Sequence, residues 1–273
     1  MPRLFLFQKN KGFSVGKTTY GDVVVYRHVW RSSMSIKLKK DKRLDVFQAY
    51  LVEGAEFRGE FEMPLVGNTD TTPDLMVPFS IAMSKKHAPK HPEKYFIHFF
   101  ESDYKFIAFV RNPKRYLRRL KQYAGLVAPD LSIYYDLPRA LKPSQVYYAR
   151  ALTYFCQQNG LTVIPLVRFD KDEFSYKFLF DGIENPGCTF VSPYGCQGEP
   201  GSREAFYNGL KKMIDWLHPK TLLFFGIMPD DMKAYCGMKK IKVVEYNIKK
   251  RGDKISTRIT NDGDITDLPL FAK

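Results

Sequence analysis

The chain has 273 residues, of which 44% are hydrophobic and 26% charged, with 22 Phe and 17 Tyr. That composition buries a large core and excludes wholesale disorder. Its 43 Lys and Arg exceed its 29 Asp and Glu, and the resulting net charge of +14 attracts polyanions: nucleic acid, anionic lipid or an acidic protein.

Cys156, Cys188, Cys196 and Cys236 form no C-x-x-C pair. This spacing fits neither a zinc ribbon nor a disulfide framework, and it points to the reducing cytoplasm. The apolar residues 4–7 are too few for a secretory signal, and no apolar stretch approaches the ~20 residues of a membrane span. The expectation is a cytoplasmic protein with no membrane partner.

In chain order, residues 4–7, 23–29 and 33–38 read as strands from their β-branched and aromatic content. Residues 57–63 alternate apolar and charged side chains, the period of a half-buried strand. The segment 85–94, with Pro89 and Pro92, reads as a polar connector. It divides a β-rich region (1–94) from an α/β domain (95–248), and a basic, mobile tail (249–273) follows. In the α/β domain, residues 95–100, 132–137, 161–167, 188–192, 221–227 and 242–246 are short apolar runs, as in strands covered on both faces.

Helices are predicted between these runs. One starts at Pro113 with Tyr116, Leu117, Leu120 and Tyr123 on one face. A second is capped by Ser144 and stopped at Asn159-Gly160, and a third is capped by Ser202 and stopped by Pro219. The alternation implies an α/β fold of repeated βαβ units with a mostly parallel sheet, either open or a partial barrel. Six strands are few for an eight-stranded barrel unless N-terminal strands contribute.

Two motifs fail on inspection. Gly12-Phe13-Ser14-Val15-Gly16-Lys17-Thr18 has three residues between its glycines where a phosphate loop needs four, and a strand-like run follows it. His87 and His91 lie four apart, but Pro89 between them breaks the helix that a zinc pair requires. The remaining histidines, His28, His98 and His218, form no flanking pair.

The ends of the predicted strands carry the better candidates. Glu101 and Asp103, Asp136 with Arg139, Arg168 with Asp170 and Asp172, Ser192 with Tyr194 and Gly195, and Asp230 with Asp231 all fall where parallel sheets border a ligand crevice. Glu101, Asp136, Arg168 and Asp170 are the catalytic candidates, because converging carboxylates can hold Mg²⁺ or serve as acid and base. Arg139, Arg150 and Arg168 can grip a phosphate or carboxylate through two N–H groups. The competing reading is that these acids cap helices and pair with neighbouring arginines.

A basic helix supplies the polyanion candidate: Lys114, Arg115, Arg118 and Arg119, with Arg111 and Lys121 beside them and Tyr116 and Tyr123 interleaved. A second basic tract is Lys37, Lys39, Lys40, Lys42 and Arg43. Both also read as solvated charged surface.

Several phrases in order carry a family resemblance: Val77-Pro78-Phe79, residues 98–106, and Pro129-Asp130-Leu131-Ser132-Ile133-Tyr134 with Asp136 and Pro138. Further on come Arg150, Gly160, Val163-Ile164-Pro165, Phe178, Asp181-Gly182-Ile183 and Gly195. Over residues 74–247 the chain resembles the bacterial and phage family called domain of unknown function 4417, with Phe169 standing where a tryptophan is expected. The resemblance implies a phage or mobile-element context, and hence a host cytoplasm, and it places Asp130, Tyr134, Asp136, Arg150 and Arg168 in the family pattern. It supplies no catalytic residue, metal or cofactor.

Three functions compete. The leading one is a nucleic-acid-associated protein whose basic helix grips phosphates while a strand-end pocket holds a nucleotide or strand terminus. The second is an enzyme, a Mg-dependent hydrolase or phosphoester-processing catalyst, acting at the strand ends. The third is an interaction protein that binds an acidic host partner.

Overall fold

The structure is a computed structural model that describes residues 16–20, 23–27, 47–193, 201–247 and 256–259, the first two stretches as backbone only. The predicted strands at 4–7 and 33–38, the Lys37–Arg43 tract, Tyr194, Gly195, Cys196 and most of the expected tail lie outside these residues. Strands β1 (Gly16–Tyr20) and β2 (Val23–Arg27) pair antiparallel. Gly16, Lys17 and Thr18 thus open a strand, whereas a phosphate loop would open a helix there.

Short antiparallel strands β3 (Phe57–Arg58) and β4 (Met63–Pro64) follow. The single strand predicted over 57–63 is folded back on itself. Gly59 and Glu62 turn with positive φ of 73° and 52°, and the turn is built from the residues whose alternation mimicked a strand.

The main body begins at β5 (Leu75–Pro78), which leads into helix α1 (Phe79–Ala82) and then β6 (Tyr95–His98). Helices α2 (Ile107–Arg111) and α3 (Leu117–Leu120) lead to β7 (Gly125–Val127), and α4 (Lys142–Gln158) leads to β8 (Val163–Ile164). After β9 (Cys188–Val191) come α5 (Ser202–Leu217), β10 (Thr221–Phe225), α6 (Asp230–Met238), β11 (Lys242–Tyr246) and β12 (Ser256–Thr257).

Strands β5 to β8 form one parallel sheet and β9 to β11 another. A parallel bridge between Leu166 and Phe190 joins them, with Phe190 N–H donating to the Pro165 carbonyl at 2.8 Å. On the far side β12 pairs antiparallel with β5, and Arg258 bridges to Tyr246 at the end of β11. The strand order therefore runs in a circle. Seven parallel strands are closed by one antiparallel strand, which removes both sheet edges.

Side-chain alternation confirms an inside and an outside. Leu223 and Phe225 of β10 join the cluster containing Cys188, Phe190, Val244 and Tyr246. Leu222 and Phe224 join Val191 and the α5 residues Phe206, Leu210, Met213 and Ile214. Ring contacts reach across the enclosed space: His98 meets Phe225 at 5.3 Å, and Phe100 meets both Phe190 and Phe225. His98 of β6 and Phe100 just beyond it touch residues of β10 and β9 although those strands are not neighbours, as expected of a closed sheet.

Several expected elements move. Residues 132–137 form no strand. The second strand of the α/β region is Gly125–Val127, whose glycine lies under Phe96: a Cβ there would approach the Phe96 ring to 2.4 Å. The basic helix is broken into a 3-10 turn (Pro113–Tyr116) and the single turn of α3. Ser144 and Ser202 are not caps, since the cap positions of α4 and α5 are Leu141 and Gly201. β5 and β12 belong to the same closed sheet as the later strands, so the sheet runs across residues 94 and 248, where domain divisions were expected.

Candidate functional site

The carboxyl ends of the parallel strands share one rim. After β6 the chain turns sharply, and Glu101 becomes buried. Its carboxylate accepts from Ser80 N–H (2.8 Å) and Ser80 Oγ–H (2.6 Å), with Lys105 Nζ at 3.5 Å. Glu101 thereby ties α1 to the turn after β6. Asp103 accepts from the backbone N–H (3.2 Å) and hydroxyl (2.9 Å) of Ser132, which holds the loop after β7 against the loop after β6. That loop, aromatic and β-branched enough to resemble a strand, is fixed by this carboxylate and not by a ladder.

Asp130, just beyond β7, and Arg168, beyond β8, form a two-point pair. Arg168 Nη2 donates to Asp130 Oδ2 at 2.6 Å, its Nε donates to Oδ1, and its Nη1 donates to the Ser192 carbonyl at 3.3 Å. Burial raises the Asp130 carboxyl to about 6, while Arg168 pulls it back. Three consecutive strand ends, those of β7, β8 and β9, are thus linked through one guanidinium.

Asp170 lies two residues further along and is buried. It accepts from Lys142 Nζ at 2.7 Å and from Ser175 Oγ, and its Oδ1 has no hydrogen-bond partner. Asp172 caps the turn at Glu173–Lys177 and accepts two bonds from Arg139, at 2.6 and 3.0 Å, and these hold its carboxyl below the usual range. Arg150 is buried in α4 and donates to the carbonyls of Leu166 (3.0 Å), Leu179 (3.0 Å) and Asp181 (3.2 Å). Those bonds occupy it in holding backbone, and burial lowers it to about 10.

The four catalytic candidates each have their own surroundings: Glu101 holds Ser80, Asp170 holds Lys142 and Ser175, Arg168 holds Asp130, and Asp136 is exposed. Among the described residues no three His, Cys, Asp or Glu side chains group closely enough to hold a metal ion. The pair that does form uses Asp130, which sequence reading placed in the family pattern but not among the catalytic groups. Its signal was its position directly after an apolar run, and misplacing the strand obscured that position.

The basic candidates lie on the outer layer that covers β5 to β7. Arg119 Nε–H donates to the Ala82 carbonyl at 3.3 Å, and Tyr123 Oη–H donates to the same oxygen at 2.9 Å. These bonds dock α3 on α1, and the exposed Lys85 and Lys86 follow just past α1. Lys114 sits 3.7 Å over the Tyr50 ring, while Arg115 and Arg118 are exposed. From Phe79 to Ala124 there are eleven Lys and Arg against Glu93, Glu101 and Asp103. Two of those acids are turned to internal work on Ser80 and Ser132, so this face carries little to offset its positive charge.

Comparison with known proteins gives a family and two phage relatives. The family described as Domain of unknown function (DUF4417) matches residues 55–247. The "Gene 1 protein" of Mycobacterium phage L5 is 30% identical over 179 residues, which are 65% of this chain and 77% of that protein. The "Gene 1 protein" of Mycobacterium phage D29 is 29% identical over 183 residues, which are 65% of this chain and 65% of that protein. No solved structure matches the chain. No helix among the described residues is long and apolar enough to cross a membrane.

Proposed function

The chain belongs to the DUF4417 family, and we propose that it is a phage or mobile-element protein that binds nucleic acid through the basic face over β5 to β7. The observation that carries this reading is the separation of charge. Lys85, Lys86, Lys94, Arg115, Arg118 and Lys121 are all exposed, while Glu101 and Asp103 are drawn inward by serines. A surface of that kind collects phosphates and releases their counterions. The linked ends of β7, β8 and β9 at Arg168 lie where parallel strands present a bound group, and they suit a nucleotide or strand terminus.

The test is binding of a labelled oligonucleotide by the wild type and by an Arg115→Glu/Arg118→Glu variant. Both side chains are exposed, so the fold is expected to survive. The reading predicts an affinity loss of about tenfold or more. Equal affinity would remove the basic face from the interface. Capture of an acidic protein that survives nuclease treatment, with no oligonucleotide binding, would favour an interaction protein instead.

One observation favours catalysis as a second reading: Asp130 is buried against a guanidinium, and burial raises its carboxyl to about 6. A carboxyl of that kind can exchange a proton close to neutral pH. Phosphoester hydrolysis assayed with and without Mg²⁺ should then be abolished by Asp130→Asn, and activity equal to wild type would exclude Asp130 as the proton carrier.

A further inference from the structure

Seven large apolar or aromatic side chains are conspicuously exposed among the described residues, and four of them stand on the strand-end rim. Tyr104 (75% exposed) follows β6, Tyr134 (57%) follows β7, Leu141 immediately precedes α4, and Ile227 (77%) follows β10. Phe47, Trp216 and Met238 are scattered elsewhere. Exposed apolar residues distributed singly need no explanation, but a group on the functional rim of a parallel barrel does.

Two of the four stand on loops that are tied to each other. Asp103 grips both the backbone N–H and the hydroxyl of Ser132. Tyr104 is the next residue after Asp103, and Tyr134 is two residues after Ser132. One carboxylate therefore fixes both loops and presents two phenol rings to solvent from neighbouring strand ends. Backbone bonds also hold this region: Lys105 N–H donates to the Ser102 carbonyl at 2.9 Å, and Leu137 N–H donates to the Tyr134 carbonyl at 3.1 Å. The backbone that carries the two rings is thus held in hydrogen-bonded turns.

Charge identifies the occupant. Tyr104 runs directly into Lys105, α2 and the cations Arg111, Arg115 and Arg118 of the basic layer, and beyond Tyr134 the rim continues to Arg139. An apolar peptide would satisfy the rings and leave the cations idle, and a duplex would satisfy the cations while keeping its bases stacked away from the rings. A single strand supplies phosphates and open base faces together. We propose that Tyr104 and Tyr134 form a base-stacking platform for single-stranded nucleic acid, whose backbone continues onto the basic layer. This rests on the nucleic-acid reading above and narrows it from polyanions in general to single strands.

The experiment is fluorescence anisotropy with a labelled single-stranded oligonucleotide and with its duplex, at the same salt concentration. Wild type, Tyr104→Ala, Tyr134→Ala, Tyr104→Phe, Tyr134→Phe and the Arg115→Glu/Arg118→Glu variant are compared. The proposal predicts that the single strand binds more tightly than the duplex. Each alanine variant should weaken single-strand binding about fivefold or more with little change for the duplex, and each phenylalanine variant should bind as wild type because the ring is retained. Equal binding of the two forms, or alanine variants that bind the single strand as wild type does, would overturn the platform. If the arginine variant still loses affinity in that case, the basic-face reading survives without it. No binding of either form would overturn both.

Discussion

His98 shows how much one side chain's surroundings decide. It ends β6, is almost wholly buried, and stacks on Phe100 at 5.1 Å with Phe225 on another side. Its Nδ1 accepts from Phe100 N–H at 3.2 Å, so in the neutral ring the proton sits on Nε2, which has no partner. Burial lowers its pKa to about 3. An unfolded chain takes up this proton near 6.5, whereas the folded chain refuses it until about 3, so the unfolded state binds more protons across that window. His98 therefore erodes stability as pH falls below about 6.5, by about 1.4 kcal/mol per pH unit. Asp130 and Asp181, both raised to about 6 by burial, act oppositely: their folded forms take up protons first as pH falls. A His98→Asn variant keeps an acceptor for Phe100 N–H and loses the titration. Urea denaturation of both proteins from about pH 7 to about pH 5 should show wild type losing stability relative to the variant, and parallel curves would refute a buried neutral imidazole.

At the level of elements, the closing strand carries the most structural weight for its length. Ser256–Thr257 is two residues long, yet the backbone around it bonds in both directions. Thr257 accepts from Asn247 N–H (3.0 Å), Arg258 N–H donates to the Asp74 carbonyl (3.1 Å), and Ile259 N–H donates to the Glu245 carbonyl (2.9 Å). Arg258→Pro deletes the donor to Asp74 and the ring opposes the pairing, so it should cost about 2–3 kcal/mol and raise hydrogen exchange in β5 and β11 together. Unchanged exchange in those two strands would show that the seam is not a structural joint. This strand was illegible beforehand because a polar two-residue segment has no periodicity to read. By contrast, Cys188–Val191 and Thr221–Phe225 stood out as apolar β-rich runs, since both of their faces are covered, and Lys242–Tyr246 was legible from its β-branched and aromatic residues although one face is only partly buried. Gly125–Val127 was lost for a related reason: three residues beginning with glycine carry less signal than the aromatic run at 132–137, which a single carboxylate holds as a loop. Gly209 offers a further case of a hidden requirement, since a Cβ there would meet the Phe169 ring at 2.7 Å and push α5 off the end of β8.

Across the whole molecule, the parallel wiring was readable from the alternation of strand and helix, and closure was not. The rim residues were readable as a set, because polar residues follow each apolar run. Their pairing was not, since it depends on which loops lie side by side: Asp103 reaches Ser132, Asp130 reaches Arg168, and Asp170 turns inward to Lys142. The electrostatic division is likewise a property of the folded chain. The basic stretch near Arg115 is visible in one dimension, but the docking of its segment on α1 through Arg119 and Tyr123 is not.

Because the proposed interface is chiefly electrostatic, the most direct measurement is single-strand binding by the wild type and by Arg115→Glu/Arg118→Glu over a graded series of salt concentrations. Each phosphate neutralised contributes about −0.7 to the slope of log affinity against log salt on a single strand. The account predicts a wild-type slope of about −3 or steeper, made shallower by about 1.5 in the variant. A flat wild-type response, or identical slopes for the two proteins, would contradict it.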